Sequence, residues 1–165
     1  MYDETCPVVH IHLNVFQRLS LDKIQDIILN PSKRAKWDRN RINIRILETI
    51  SATEFICKYT YKFPVRNREF VEKVSVSKSP EDLRIVSYSV NYPFQDINKP
   101  EPESSSIPAR NLFTYFHASQ CKRHIEIDIV FQQDLIISHK QKTESMYATS
   151  GKQWGERLLS FLDGL

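Results

Sequence analysis

Hydrophobic and polar residues alternate along most of this chain. From Val8 to Val15, Val9, Ile11, Leu13 and Val15 fall on one side and His10, His12 and Asn14 on the other. That period of two describes a strand with one dry face. The same pattern predicts strands over about 42–50, 54–63, 68–77, 83–92, 109–118 and 123–133. In 54–63, Phe55, Cys57, Tyr59, Tyr61 and Phe63 oppose Ile56, Lys58, Thr60 and Lys62. In 123–133, Ile125, Ile127, Ile129 and Phe131 oppose His124, Glu126 and Asp128. Short connections between such segments make an antiparallel meander, and Ser119 to Lys122 reads as the turn of the last hairpin.

Three segments carry a helical period instead. Leu21, Ile24, Ile27 and Ile28 share a face behind Ser20, a fitting N-cap, with Asp22 in the first turn. Asn30-Pro31 restarts a second short helix, since proline is tolerated at the first helical position. A long helix over about 143–163 carries the stripe Tyr147, Gly151, Trp154, Leu158, Phe161 or Leu162, and Leu165. All 3 glycines lie there or at its end, at 151, 155 and 164. Gly164 suits a helix stop. Gly151 and Gly155 each cost about 1 kcal/mol relative to alanine, so either close approach of helix to sheet or space for a ligand must compensate. The stretch from Asn91 to Pro108, rich in proline and serine, predicts a long loop of the kind that forms lids. Strand, two short helices, curved antiparallel sheet and a long helix across it make an α+β helix-grip arrangement.

Composition narrows the class. The chain has 165 residues, 41% hydrophobic and 26% charged, which suits one domain over residues 1–165. No apolar run approaches the roughly 20 residues needed to span a bilayer. The first residues lack a secretion signal, so the expected location is cytoplasmic, or the chain is a piece of something longer. Cys6, Cys57 and Cys121 are odd in number and far apart, which fits free thiols rather than disulfides or a metal site. The net charge of +3 is too small to imply nucleic acid. Its distribution says more: Lys33, Arg34, Lys36, Arg39, Arg41 and Arg45 crowd one segment, with Asp38 the only acid among them. Such a cluster meets phosphates or an anionic membrane, or is a solvated face.

Several stretches resemble, in order, a known family. "NPSKRAKWD" (30–38) looks like its short helix ending in Trp-Asp, and "RILETI" (45–50) like the strand after it. "YKFPVRNREFV" (61–71) is similar to its Arg-Asp-Phe-Val strand, with Glu69 for the usual Asp. "VSYSVNYP" (86–93) looks like a Ser-Val-x-x-Pro strand end, and "IPAR" (107–110) like the start of the strand after the loop. These motifs resemble the START domains, the lipid-transfer family of the steroidogenic acute regulatory protein, nearest the phosphatidylcholine-transfer branch. The likeness spans about residues 8–163. The family's N-terminal helix and first strands are missing, and "QQDLIISHK" (132–140) keeps Asp134 but lacks the family's Gly and Pro.

The resemblance implies a cavity holding a lipid, with polar residues addressing its head. Alternation puts Arg68, Phe70, Glu72, Val74 and Val76 on the inner face of their strand. Arg68 and Glu72 stand about 13 Å apart, too far to pair. A buried guanidinium needs a partner, and its fork suits phosphate. The ligand-facing set is therefore Arg68, Glu72, Tyr59, Tyr61 and Arg110, with Trp154 and Leu158 of the roofing helix; the other reading gives Arg68 a carboxylate on a neighbouring strand, or water. In the sterol-binding branch the buried basic residue falls at Val74, which favours a phospholipid over a sterol. Arg34, Lys36, Arg39 and Arg41 are the expected contacts to a membrane surface met transiently.

Other chemistry finds little support. His10 and His12 share a strand face without a visible third ligand, and neither a nucleophile elbow nor a phosphate loop is present. No metal and no cofactor is expected. The reading is a monomeric, non-enzymatic lipid-binding and transfer domain, peripheral at membranes, without nucleic acid. Its rivals are a helix-grip enzyme of cyclase or hydrolase type, and a regulatory module of a larger protein.

Overall fold

A computed structural model of the protein describes residues 6–16, 18–63, 66–91, 106–135 and 144–165. Strand β1 (Val8–Val15) is followed by helices α1 (Leu21–Leu29) and α2 (Pro31–Trp37). Then come β2 (Arg41–Thr49), β3 (Glu54–Tyr61), β4 (Arg68–Lys78), β5 (Asp82–Ser89), the short β6 (Ile107–Pro108), β7 (Arg110–Gln120) and β8 (Ile125–Asp134). Helix α3 (Glu144–Asp163) closes the chain. The order across the sheet is β1-β8-β7-β5-β4-β3-β2, every pair antiparallel, with β6 added in parallel beside β4.

Local chemistry explains the helix boundaries. Ser20 Oγ accepts from Lys23 N–H, capping α1. Asn30 ends α1 and starts α2 at once, its Oδ1 accepting from Ser32 N–H at 3.0 Å. Leu21, Ile24, Ile27 and Ile28 are buried as their spacing predicts. The inner faces of the strands are also as the alternation predicts: Val9, Ile11 and Val15 on β1, and Ile125, Ile127 and Ile129 on β8, are buried. On β4, Arg68, Phe70, Glu72 and Val74 are buried together.

Helix α3 lies along β1. A Cβ on Gly151 would stand 2.7 Å from Val9 Cγ1, and one on Gly155 3.0 Å from Ile11 Cγ2. The glycines therefore serve close approach of helix to strand, not space for a ligand. The last hairpin turns later than the sequence suggests. Gln120 still pairs with Ile125, and Cys121 N–H donates to His124 C=O at 2.9 Å, so Cys121 to His124 form the turn. Ser119 and Gln120 are polar because they finish a strand. Most of the long loop (92–105) and the stretch 136–143 lie outside the described residues, so its expected lid role does too.

Candidate functional site

Between the sheet and α3 lies a cavity of about 140 Å³. Its walls are largely apolar: Ile44 and Ile46 of β2, Phe55 of β3, Val74 of β4, Phe116 of β7 and Ile129 of β8. Ile28 and Pro31 border it from α1 and α2, and Trp154 from α3. Ile46 is 52% exposed, so β2, the last strand of the sheet, forms an open apolar rim.

One end of this greasy space is charged. Arg34, Asp38, Arg41, Cys57, Tyr59 and Glu72 all border it. Asp38 is 1% exposed, and its Oδ2 accepts from Arg34 Nε at 3.0 Å and from Trp154 Nε1 at 3.1 Å. Arg34 also donates to the Ile28 carbonyl at 3.3 Å, and its guanidinium lies 4.4 Å from the Trp37 ring. Trp37 and Trp154 meet edge to face with centroids 5.0 Å apart. Beside this group, the Tyr59 hydroxyl donates to Glu72 at 2.5 Å. The Arg41 guanidinium sits 3.5 Å above the Tyr59 ring, with Nη2 3.9 Å from Glu72.

Burial and these neighbours move the titrations. Burial draws Arg34 below the usual arginine value, partly offset by Asp38. For Arg41 burial acts the same way, but Tyr59 and Glu72 outweigh it and hold the guanidinium above its ordinary value. Burial, then Glu72, pushes Tyr59 well above the usual phenol. Burial pushes the Cys57 thiol up to about 11. Two guanidinium groups face two carboxylates, so the formal charges cancel. At this end of the cavity two polar atoms are left over: Asp38 Oδ1 and Arg41 Nε are buried without a hydrogen-bond partner.

Of the ligand-facing residues expected from sequence, the cavity brings together Tyr59, Tyr61, Glu72 and Trp154. Three lie elsewhere. Arg68 is buried, but its Nε donates to the Leu135 carbonyl at 2.5 Å and Nη1 to the Arg66 carbonyl at 2.6 Å. Its guanidinium lies 5.0 Å from the Phe63 ring, so it ties chain segments together rather than facing a head group. Arg110 is exposed on β7, and Leu158 is fully buried in the packed core. The membrane set also divides. Lys36 and Arg39 are exposed, whereas Arg34 and Arg41 turn inward to Asp38 and Glu72. Sequence reasoning missed Asp38 as a site residue. Its signal was its isolation, one acid inside a basic run.

On the outer face, His10 Nε2 and His12 Nδ1 both meet Asp128 Oδ1, at 2.9 and 3.0 Å. The two imidazoles pair with that carboxylate, and hydrogen bonds from both hold its pKa below the usual aspartate value.

Comparison with known proteins agrees with this architecture. The family model described as START domain matches residues 4–135. No curated protein matches the chain. The human StarD13 (DLC2) lipid transfer and protein localization domain superposes with a TM-score of 0.78 at 14% identity, over 95% of this chain and 77% of that one. Human StAR-related lipid transfer protein 5 gives 0.74 at 16% identity, over 94% and 73%. A STAR-related lipid transfer protein fragment from Xanthomonas axonopodis gives 0.70 at 12% identity, over 99% and 96%. Likeness at these identities concerns the fold.

Proposed function

This chain belongs to the START domain family, and from that premise we propose that it binds a lipid in the cavity under α3 and carries or senses it without chemistry. The observation that carries the reading is an apolar cavity with one polar end whose charges cancel and whose Asp38 Oδ1 and Arg41 Nε await a partner. An unpaired buried polar atom costs about 1–3 kcal/mol. A ligand hydroxyl would donate to Asp38 Oδ1, and a hydroxyl or carbonyl oxygen would accept from Arg41 Nε.

A phosphate fits this end less well. The phospholipid reading depends on a free Arg68, and that guanidinium is held by backbone carbonyls. An anion at Arg41 would also stand beside Glu72. Size points the same way: an engineered apolar cavity of about 150 Å³ holds a benzene ring. A cavity of about 140 Å³, open along β2, thus admits a compact lipid or part of one chain, with a small uncharged head at the polar end. Two-chain lipids require α3 to move.

Exchange does not demand tight capture. Burial is worth about 0.8 kcal/mol per methylene, and a bilayer offers nearly the same, so the protein need only match the membrane. Lys36 and Arg39, with exposed Ile46 on the rim, form the surface proposed to meet an anionic membrane. No described helix is long and apolar enough to cross one. Against catalysis stands the pairing of the titratable groups with one another, and a Cys57 thiol pushed up to about 11 is no nucleophile near neutrality.

Native mass spectrometry of purified protein, with extraction of whatever is bound, tests the reading. One uncharged lipid per chain is the expected result. Protein that neither carries lipid nor takes it up from vesicles overturns lipid binding. A phosphate-bearing lipid in the cavity overturns the head-group assignment alone.

A further inference from the structure

We propose that Cys121, His124 and Glu126 form a zinc-binding site on the outer face of the β7–β8 hairpin, with water as the fourth ligand. This site is independent of the lipid cavity. The turn geometry builds it. Because Gln120 pairs with Ile125 and Cys121 N–H closes onto the His124 carbonyl, Cys121 and His124 are the next opposed residues. Side chains alternate along a strand, so Glu126 shares the face of His124. Ile125 between them points into the core, where it is 0% exposed.

The three donor atoms lie within 4.8 Å of one another. His124 Nε2 and Glu126 Oε1 are 3.1 Å apart. Zinc bonds of about 2.3 Å to sulfur and 2.0–2.2 Å to nitrogen and oxygen put tetrahedral ligands about 3.3–3.7 Å apart. The cluster reaches that spacing by small side-chain rotations. All three residues are half-buried, open to an ion and to water. Phe16 packs on the His124 ring with centroids 5.5 Å apart, which holds the imidazole in place.

The donor set selects the metal. Thiolate and imidazole suit zinc, whereas calcium and magnesium take oxygen ligands. Binding releases the thiol proton and replaces the His124–Glu126 hydrogen bond with two bonds to the metal. No redox step is involved. Exposed Lys122 and Arg123 in the turn oppose the cation through screened charge, so the affinity is expected to be moderate.

Titration of reduced protein with zinc chloride by calorimetry, and with cobalt(II) by absorption, tests this. One zinc per chain is expected, and the cobalt form should show a thiolate charge-transfer band. Cys6 and Cys57 are buried, so that band would report Cys121. Cys121→Ser should abolish the band, and each of Cys121→Ser, His124→Gln and Glu126→Gln should weaken zinc about tenfold or more. His10→Gln with His12→Gln should leave it unchanged. Failure to bind zinc at micromolar concentration, equal affinity in Cys121→Ser, or loss only in the His10/His12 variant overturns the site. Lipid uptake by the same variants, expected to match the parent, shows that they are folded.

Discussion

Trp154 Nε1 donates to Asp38 Oδ2 at 3.1 Å, and the same oxygen accepts from Arg34. This carboxylate joins α3 to the end of α2 beside the cavity. Helix α3 otherwise leans on β1, at the far end of the sheet from β2. The Asp38–Trp154 bond thus joins the roof to the side of the cavity next to the open rim, and breaking it is expected to ease entry of a ligand.

Trp154→Phe keeps a ring against Trp37 but removes the donor. A hydrogen bond to a charged group is worth about 1.5–3 kcal/mol, and Arg34 still satisfies Asp38, so a loss of about 1–2 kcal/mol is expected in urea unfolding. Exchange of a fluorescent fatty-chain probe should quicken. An unchanged exchange rate would place the gate elsewhere.

Removing Asp38 itself is harsher. Asp38→Ala strands Arg34, which is buried and keeps the Ile28 carbonyl and the Trp37 ring but no carboxylate among the described residues. Breaking a buried pair this way costs about 3–5 kcal/mol. Arg34→Met combined with Asp38→Ala should recover much of that loss, because the uncompensated charge goes too. Chemical denaturation of the two variants measures the difference.

Gly151 is held by steric need. A Cβ there would come within 2.7 Å of Val9 Cγ1, closer than two carbons can pack. Gly151→Val adds branches to that clash and should pry α3 from β1, at a cost of about 2 kcal/mol or more, as for other overpacked core sites. Melting temperature and protease resistance of the C-terminal helix report it. A stability gain, as helix propensity alone would give, would contradict the observed packing.

How much of this was legible in the sequence follows from the range of each interaction. The inner face of β1 and the caps at Ser20 and Asn30 rest on neighbours within a few residues, so the pattern displays them. Burial of Arg68 and Glu72 was also readable, because alternation fixes which side of β4 they take. Their partners were not. Arg68 is satisfied by the carbonyl of Leu135, and no residue type advertises a free backbone carbonyl. Arg34 and Arg41 looked like surface charge, since a basic run is normally solvated. Only the fold brings Glu72 to Arg41 and Trp154 to Asp38. Polarity alone places the turn of Cys121 to His124 two residues early, because Ser119 and Gln120 are as polar as any loop.

The cavity thiol gives a pH test. Burial raises Cys57 to about 11 from 9.0, so the folded state holds this proton more tightly than the unfolded chain. The stability this contributes is present below about pH 9 and is lost as pH rises through 11. Tyr59, also raised, acts with the same sign at higher pH. Unfolding free energy should therefore fall above pH 9, less steeply in Cys57→Ala. At pH 8 a disulfide reagent should modify half-buried Cys121 first and leave Cys57 and Cys6 until the protein unfolds. Rapid reaction of Cys57 in folded protein would contradict its burial.

The charges proposed to meet a membrane can be tested without touching the cavity. Arg34 and Arg41 belong to buried pairs, so removing them would unfold the site and mimic a lost membrane contact. Lys36 and Arg39 are exposed, and a basic residue near an anionic surface contributes about 1 kcal/mol. Lys36→Glu with Arg39→Glu reverses both charges. Binding to vesicles containing phosphatidylserine should weaken at least thirtyfold, about 2 kcal/mol, while the melting temperature stays near that of the parent. The effect should shrink in high salt, where the screening length falls to about 3 Å at 1 M. Ile46→Ser, on the rim of β2, should weaken binding in a manner that salt leaves unchanged, since apolar insertion carries no charge. If the charge-reversed protein binds such vesicles as well as the parent, this face does not meet the membrane and the lipid must enter from another side.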